Sequence, residues 1–409
     1  MQKSGRKIKR TKSLYGSRRR NHAKNAVKAV VMILVIGGIA FLGYSIGEPV
    51  LNFLREKAQN PTSSSTSSEN ETSSSAVSSK AEKSSSENET SSSSTESSEE
   101  NKDFGFSAYE IKSESLLNME SLKAAIDQAK QQGYSAIAVV LKSPGGAVNY
   151  KTNVELAKKA YLSQSQLSAA DIAKAINESG LKSVAFVGTL NDNLTPKADK
   201  TAGYTFENSQ TAWYDDSPEK GGKPWLNPFS ETTKSFMTEI ANEVCLAGFD
   251  EVVCTGVAFP PFRNSDLNYI GALVKDPNRY TVLLNITDIF KTAAANTSSK
   301  VAVEISAKGI IEGTDEIFKP QMLEGFEIAV NYNPAKIGAK LVDNGAEIIL
   351  TDLPAYDKAK KVFETAKAKA GGIEIIPCIE QDGTNVGDVS ETIRALVDLG
   401  YKNYIIKNS

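Results

Sequence analysis

The one histidine of this 409-residue sequence is His22, so imidazole acid–base catalysis, histidine triads and histidine-ligated metals are excluded downstream of it. The three cysteines, Cys245, Cys254 and Cys378, make no Cys-x-x-Cys pair and give no structural zinc signature. They read as buried thiols, with a Cys245–Cys254 disulfide as the alternative in an oxidising compartment. No Gly-x-x-x-x-Gly-Lys-Ser/Thr loop is present to cradle a nucleotide phosphate. No metal and no cofactor are implied. Carboxylates, lysines, tyrosines and serines remain, an inventory that suits glycoside hydrolysis, where two carboxyl groups flank the scissile bond.

Four charged residues sit where apolar runs end. Lys142 follows the run 136–141, Asp192 follows 183–187, Asp352 follows 346–350 in Leu-Thr-Asp-Leu-Pro, and Glu380 follows 373–379. Glu380 is the expected proton donor, with Asp352 or Asp192 as its partner, since two carboxyl groups in one cleft push their pKa values apart. Plainer roles stand beside these: Asp192 as a turn former and Asp352 as a helix cap. Glu304 lies inside an apolar run and needs a cationic partner such as Lys142. Trp213, Tyr214 and Trp225 flank a Gly-Gly loop rich in Pro and Asp. Their rings suit sugar stacking, although both tryptophans suit a core equally.

The elements that position these residues repeat. Six times an amphipathic helix pattern is followed by Gly, about three residues and a short β-branched run; the glycines are Gly133, Gly180, Gly248, Gly345, Gly371 and Gly400. Ser168 with Asp171, Ser230 with Thr233, and Ser390 read as helix N-caps, and Phe236, Ile240 and Val244 share one helix face. Runs at 106–111 and 301–305 raise the expected strands to eight. Helix alternating with strand eight times predicts an α/β fold, a (β/α)8 TIM-type barrel over 103–409. An open doubly wound sheet is the alternative, but no Gly-x-Gly-x-x-Gly follows a strand.

The preceding residues are different in kind. Residues 1–28 hold eleven Lys and Arg and no acid, and 29–47 are nineteen residues without a charge. That length predicts one transmembrane helix, and the basic flank sets the N-terminus in the cytoplasm. Residues 48–102 form a juxtamembrane segment and a Ser-rich stalk, in which Ser-Ser-Glu-Asn-Glu-Thr-Ser-Ser-Ser begins at both Ser67 and Ser85. Such composition predicts a disordered spacer with a reach of roughly 35 Å. The expectation is a single-pass cell-membrane protein with its large domain extracellular. Its expected partners are the membrane, through 29–47, and a polysaccharide or cell-wall glycan. Nucleic acid is not expected, because the chain beyond the tail is acidic, −13 against the whole chain's −2.

Residues 211–261 read TAWYDDSPEKGGKPWLNPFSETTKSFMTEIANEVCLAGFDEVVCTGVAFPP. Trp213, Trp225, Asn227, Pro228, Phe229, Ile240, Ala241, Glu243, Gly248, Phe249, Asp250, Glu251, Val257, Phe259 and Pro260 fall in an order and spacing that resembles the glycoside hydrolase family of bacterial (β/α)8-barrel domains. The resemblance implies a sugar-handling barrel at the cell surface, and Trp213, Tyr214, Trp225, Lys142 and Phe259 are the residues expected to face its substrate. Where that family ends a strand with Asp and, further on, Arg, this chain has Thr255 and Ala258. Two readings follow: a hydrolase, or a carbohydrate-binding or scaffolding domain that has kept the fold and not the chemistry.

Overall fold

A computed structural model describes residues 105–207, 209–382 and 384–408. The basic tail, the uncharged span at 29–47 and the Ser-rich stalk lie outside these residues. Among the described residues no helix is long and apolar enough to cross a membrane.

Eight parallel strands close into a barrel: β1 (Ser107–Glu110), β2 (Ala136–Lys142), β3 (Lys182–Gly188), β4 (Glu251–Thr255), β5 (Lys300–Ser306), β6 (Glu327–Tyr332), β9 (Ile375–Gln381) and β10 (Tyr404–Asn408). The ring order is β1-β10-β9-β6-β5-β4-β3-β2, so β10 returns to pair with β1, Ile405 beside Ala108. The strands are short and rich in Val, Ile and Ala because both of their faces are buried. The inner face packs Phe106, Phe186, Val253, Ile376 and Ile405 among small residues such as Ala138, Ala302 and Ala329. The outer faces pack under the helices: Glu231–Cys245 buries Phe236, Ile240 and Val244 as the sequence predicts, and Ala169–Glu178 starts with a Ser168–Asp171 capping box.

Seven of the eight predicted runs lie in the barrel and one does not. Residues 346–349 form β8 (Ala346–Ile349), which pairs antiparallel with β7 (Lys340–Asp343) in a two-stranded hairpin outside the ring. The reason is the Asn344–Gly345 turn. Both residues have positive φ, 49° and 85°, which a two-residue primed hairpin turn requires and which Asn and Gly supply at low steric cost. Gly345 therefore closes a hairpin, whereas the other five glycines of the repeat follow helices. The true sixth barrel strand, Glu327–Tyr332, is reached from β5 through the six-residue helix Ala307–Glu312, too short to display an amphipathic repeat. Ser390 also departs from expectation: it lies inside the helix Val386–Asp398, bonding back to the Val386 carbonyl.

Candidate active site

Side chains alternate along a strand, so residues two apart share a face. Ala108, Ala302, Ala329, Cys378 and Ile405 all belong to the inner cluster. Two residues further toward the C-terminal mouth stand Glu110, Glu304, Asn331, Glu380 and Lys407. Their strands, β1, β5, β6, β9 and β10, are consecutive around the ring, and the five polar groups therefore form one continuous arc. The C-terminal mouth is where barrels of this type assemble chemistry from residues distant in sequence.

Lys407 stands in the arc between Glu110 and Glu380. Its ammonium pairs with Glu304 and stands 4.9 Å over the Phe186 ring on the opposite wall. Burial alone would depress the Lys407 pKa, but the Glu304 and Glu110 carboxyl groups outweigh it and hold the ammonium above its ordinary value. Glu380 accepts a 2.6 Å hydrogen bond from Asn333 Nδ2 and faces Lys336 Nζ at 3.8 Å. Asn385 Nδ2 donates to the Glu380 carbonyl at 3.0 Å and so fixes the end of β9. Glu110 is 9% exposed, and its Oε2 has no hydrogen-bond partner among the described residues.

The two carboxyl groups are driven in opposite directions. Burial pushes Glu110 up to about 7; Lys407 opposes that rise, while Glu304 and Glu380 add to it. Burial also acts to raise Glu380, but side-chain donors on Asn333 and Asn331, with the charges of Lys407 and Lys336, prevail and hold it below the ordinary carboxylate value. Near neutral pH one carboxyl is thus available as an acid while the other is anionic. That division of labour is what glycosidic cleavage requires.

The residues expected from sequence separate into three environments. Glu380 is in the arc, but held ionised rather than protonated, which does not suit the donor role expected of it. Lys142 and Asp192 do meet, 2.7 Å apart, yet both are completely buried, and Lys142 also donates to the Gly188 carbonyl at 2.9 Å. Asp192 is further saturated by Thr195 Oγ1 and by the backbone of Leu194 and Thr195. Glu304 takes Lys407 as its partner, not Lys142. Asp352 is exposed, in the turn between the β7–β8 hairpin and the helix Ala355–Ala370. It follows a hairpin strand, not a barrel strand.

The aromatic residues divide likewise. Trp213 is fully buried with Tyr204, Ile270 and Val274, its indole N–H donating to Asp266 at 2.7 Å, and has no face left for a sugar. Trp225 and Tyr214 are half-buried; the Trp225 indole donates to Asp215 at 2.9 Å, and the Tyr214 carbonyl accepts from Arg263. Phe259 stacks on Phe229, with centroids 6.1 Å apart, and carries Arg279 over its ring at 5.1 Å. It lines a cavity of about 460 Å³ formed by the loops after β4 and β5.

Glu110, Asn331 and Lys407 were not singled out by their spacing. Their signal is a polar residue at an inward position after apolar inward neighbours, as in Phe106, Ala108, Glu110 and in Ile405, Lys407. Reading it requires the strand register, and β6, which bears Asn331, follows a helix too short to announce it.

Known proteins agree with this architecture. The glycoside hydrolase domain of PgaB (BpsB) from Bordetella bronchiseptica is similar at 14% identity, over 74% of this chain and 93% of that one, with a TM-score of 0.51. A variant of the glycoside hydrolase domain of PelA from Pseudomonas aeruginosa is similar at 12% identity, over 74% and 94%, with a TM-score of 0.41. At 14% identity the likeness to the PgaB (BpsB) domain concerns the fold alone. No curated protein matches the sequence. A family model described as "Putative glycosyl hydrolase domain" matches residues 109–316, half of the chain, and the chain belongs to this glycosyl hydrolase domain family.

Proposed function

We propose that the barrel cleaves glycosidic bonds in a cell-envelope or environmental polysaccharide, with Glu110 as proton donor and Glu380 as its anionic partner. The observation that carries this reading is the arc of Glu110, Glu304, Asn331, Glu380 and Lys407, in which burial raises one carboxyl and local donors lower the other. Glu110 gives its proton to the leaving glycosidic oxygen. Glu380 either attacks the anomeric carbon or takes a proton from the attacking water. The carboxylate left on Glu110 faces the Lys407 ammonium, which Glu304 keeps charged. Residues 29–47 anchor the chain in the cell membrane and present the domain outside, a reading supported by the one-sided basic flank.

A second reading is favoured by β4. Thr255, at the strand end where the sequence resemblance implies Asp, is buried with its Oγ1 unpartnered among the described residues. In that reading the Phe259 cleft binds glycan and nothing is cut. A hydrolysis and glycan-binding screen of the full chain separates the two. Glu110→Gln and Glu380→Gln should each lower turnover by about 10²–10⁴-fold and spare binding. Wild-type turnover in both variants removes these residues from the mechanism. No turnover in the wild type, with binding lost in Phe259→Ala, selects the binding domain.

A further inference from the structure

A sizeable cavity lies not at the mouth but at the opposite, N-terminal end of the barrel. It encloses about 750 Å³ between the strand starts, with Lys182, Asp250, Glu251, Lys300, Glu374 and Lys402 in its lining. That volume is in the range of small-molecule sites. Glu251 is 2% exposed, and its Oε1 has no hydrogen-bond partner among the described residues. A buried carboxyl group without a partner is costly, and natural structures rarely leave one without a reason.

The charges around Glu251 are unevenly available. Lys300 of β5 pairs with Glu327 of β6 at 2.6 Å, and Lys367 stands over the Tyr401 ring. Lys182 of β3 and Lys402 before β10 are exposed at the rim. Asp250 accepts from Ser183, and Glu374 from Asn403 Nδ2. Burial pushes Glu251 up to about 9; Glu327, Glu374 and Asp250 add to the rise, and Lys300 alone opposes it. Burial thus dominates at Glu251, and Lys300, the cation that acts on it, is already committed to Glu327. No group of three His, Cys, Asp or Glu residues among those described is placed to hold a metal ion. Of the four lysines in the lining, Lys300 and Lys367 are engaged and Lys182 and Lys402 lie at the rim, so an anion reaching Glu251 would meet carboxyl groups. A ligand with N–H donors and positive charge fits.

We propose that this lower cavity binds a small molecule bearing a primary ammonium group, with Glu251 as its counter-ion, independently of the chemistry at the mouth.

The test is isothermal titration calorimetry of the full chain with 1,4-diaminobutane at pH 7.5, in buffers of different ionisation enthalpy. The neutral control is 1,4-butanediol. Binding of the diamine should release close to one proton from Glu251, and the diol should not bind. Glu251→Gln should abolish the proton release and weaken binding at least tenfold. Because that variant could perturb folding, carboxyl ¹³C shifts of the wild type supply a second reading: Glu251 should move to its ionised position on diamine addition. Absence of binding, equal binding of the diol, unchanged affinity in Glu251→Gln, or an unmoved Glu251 resonance overturns the proposal. Diamine binding lost in Glu380→Gln instead of Glu251→Gln would move the ligand to the mouth and equally overturn it.

Discussion

Lys142 Nζ lies 2.7 Å from Asp192 Oδ2 with both side chains completely withdrawn from solvent. The pair joins the end of β2 to the loop after β3, and Asp192 also caps the turn at Thr195. Burial alone would raise the Asp192 pKa; the Lys142 charge and hydrogen bond, with Thr195, hold it below the ordinary value. Its role is to shape the rim, so breaking it should cost stability. Lys142→Met or Asp192→Asn alone should destabilise by about 3–5 kcal/mol, because each strands a buried group. Chemical denaturation checks this, and the double variant should recover part of the loss. Full stability in either single variant would show that the pair is not structural.

Activity should depend on pH through Glu110 and Glu380 in opposite senses. Glu110 must be protonated to act, so kcat/KM should fall as pH rises through about 7. Glu380 must be ionised, so the acid limb should lie below the ordinary carboxylate range. Lys407→Met removes the charge that opposes the rise at Glu110 and should shift the alkaline limb upward. An alkaline limb unmoved by Lys407→Met would detach Glu110 from it.

The two aromatic environments predict two outcomes. Trp213→Ala opens a cavity in a closed cluster and removes the indole hydrogen bond to Asp266, and should cost about 3–5 kcal/mol of stability. Phe259→Ala removes one half-buried ring from the cleft beside β4, and should weaken glycan binding with little change in denaturation midpoint. The reverse pattern would exchange their roles.

Glu251 should leave a mark on stability as well. Its folded pKa of about 9 is above the ordinary carboxyl value of 4.5, so the folded state holds the extra proton. The associated stability is fully present below the unfolded pKa and is lost as pH rises toward 9, with a slope of up to about 1.4 kcal/mol per unit. Denaturation between pH 5 and 8.5 should show this fall, and Glu251→Gln should flatten it. Parallel slopes in the two proteins would sink the idea.

Protease added to intact cells should release the acidic domain by cutting within residues 61–102, as expected of an exposed Ser-rich spacer. Survival of the full-length chain, under conditions that cut a control surface protein, would place the domain on the other side of the membrane.

Much of the barrel was legible because helix closure by glycine and burial of both strand faces are local signals. The helix over Phe236, Ile240 and Val244 shows this well: period, cap and following strand all agree. What misled was the Asn344–Gly345 pair, where one residue type serves two kinds of turn, and the short crossover before β6, which carries no repeat. Site residues were harder. Glu380 is marked by its place at a strand end, whereas Glu110 gains its character from burial, tempered by Lys407 and reinforced by Glu304, an environment that only closure creates. Lys142 and Asp192 are legible as charges near strand ends, but their mutual saturation belongs to the packed state.

The pairing of β1 with β10 has a consequence for how the molecule comes into being. Phe106 and Asn403, which hydrogen-bond at the seam, are 297 residues apart, the kind of contact that raises contact order and slows folding. Lys407 rides on the strand that closes that seam, and Glu110 on the strand it meets. A nascent chain can collapse and form most of its helices, yet it has no proton donor tuned to neutrality until β10 docks. Under the proposed mechanism maturation and competence are then the same event, and a partly folded polypeptide carries an unarmed carboxyl group.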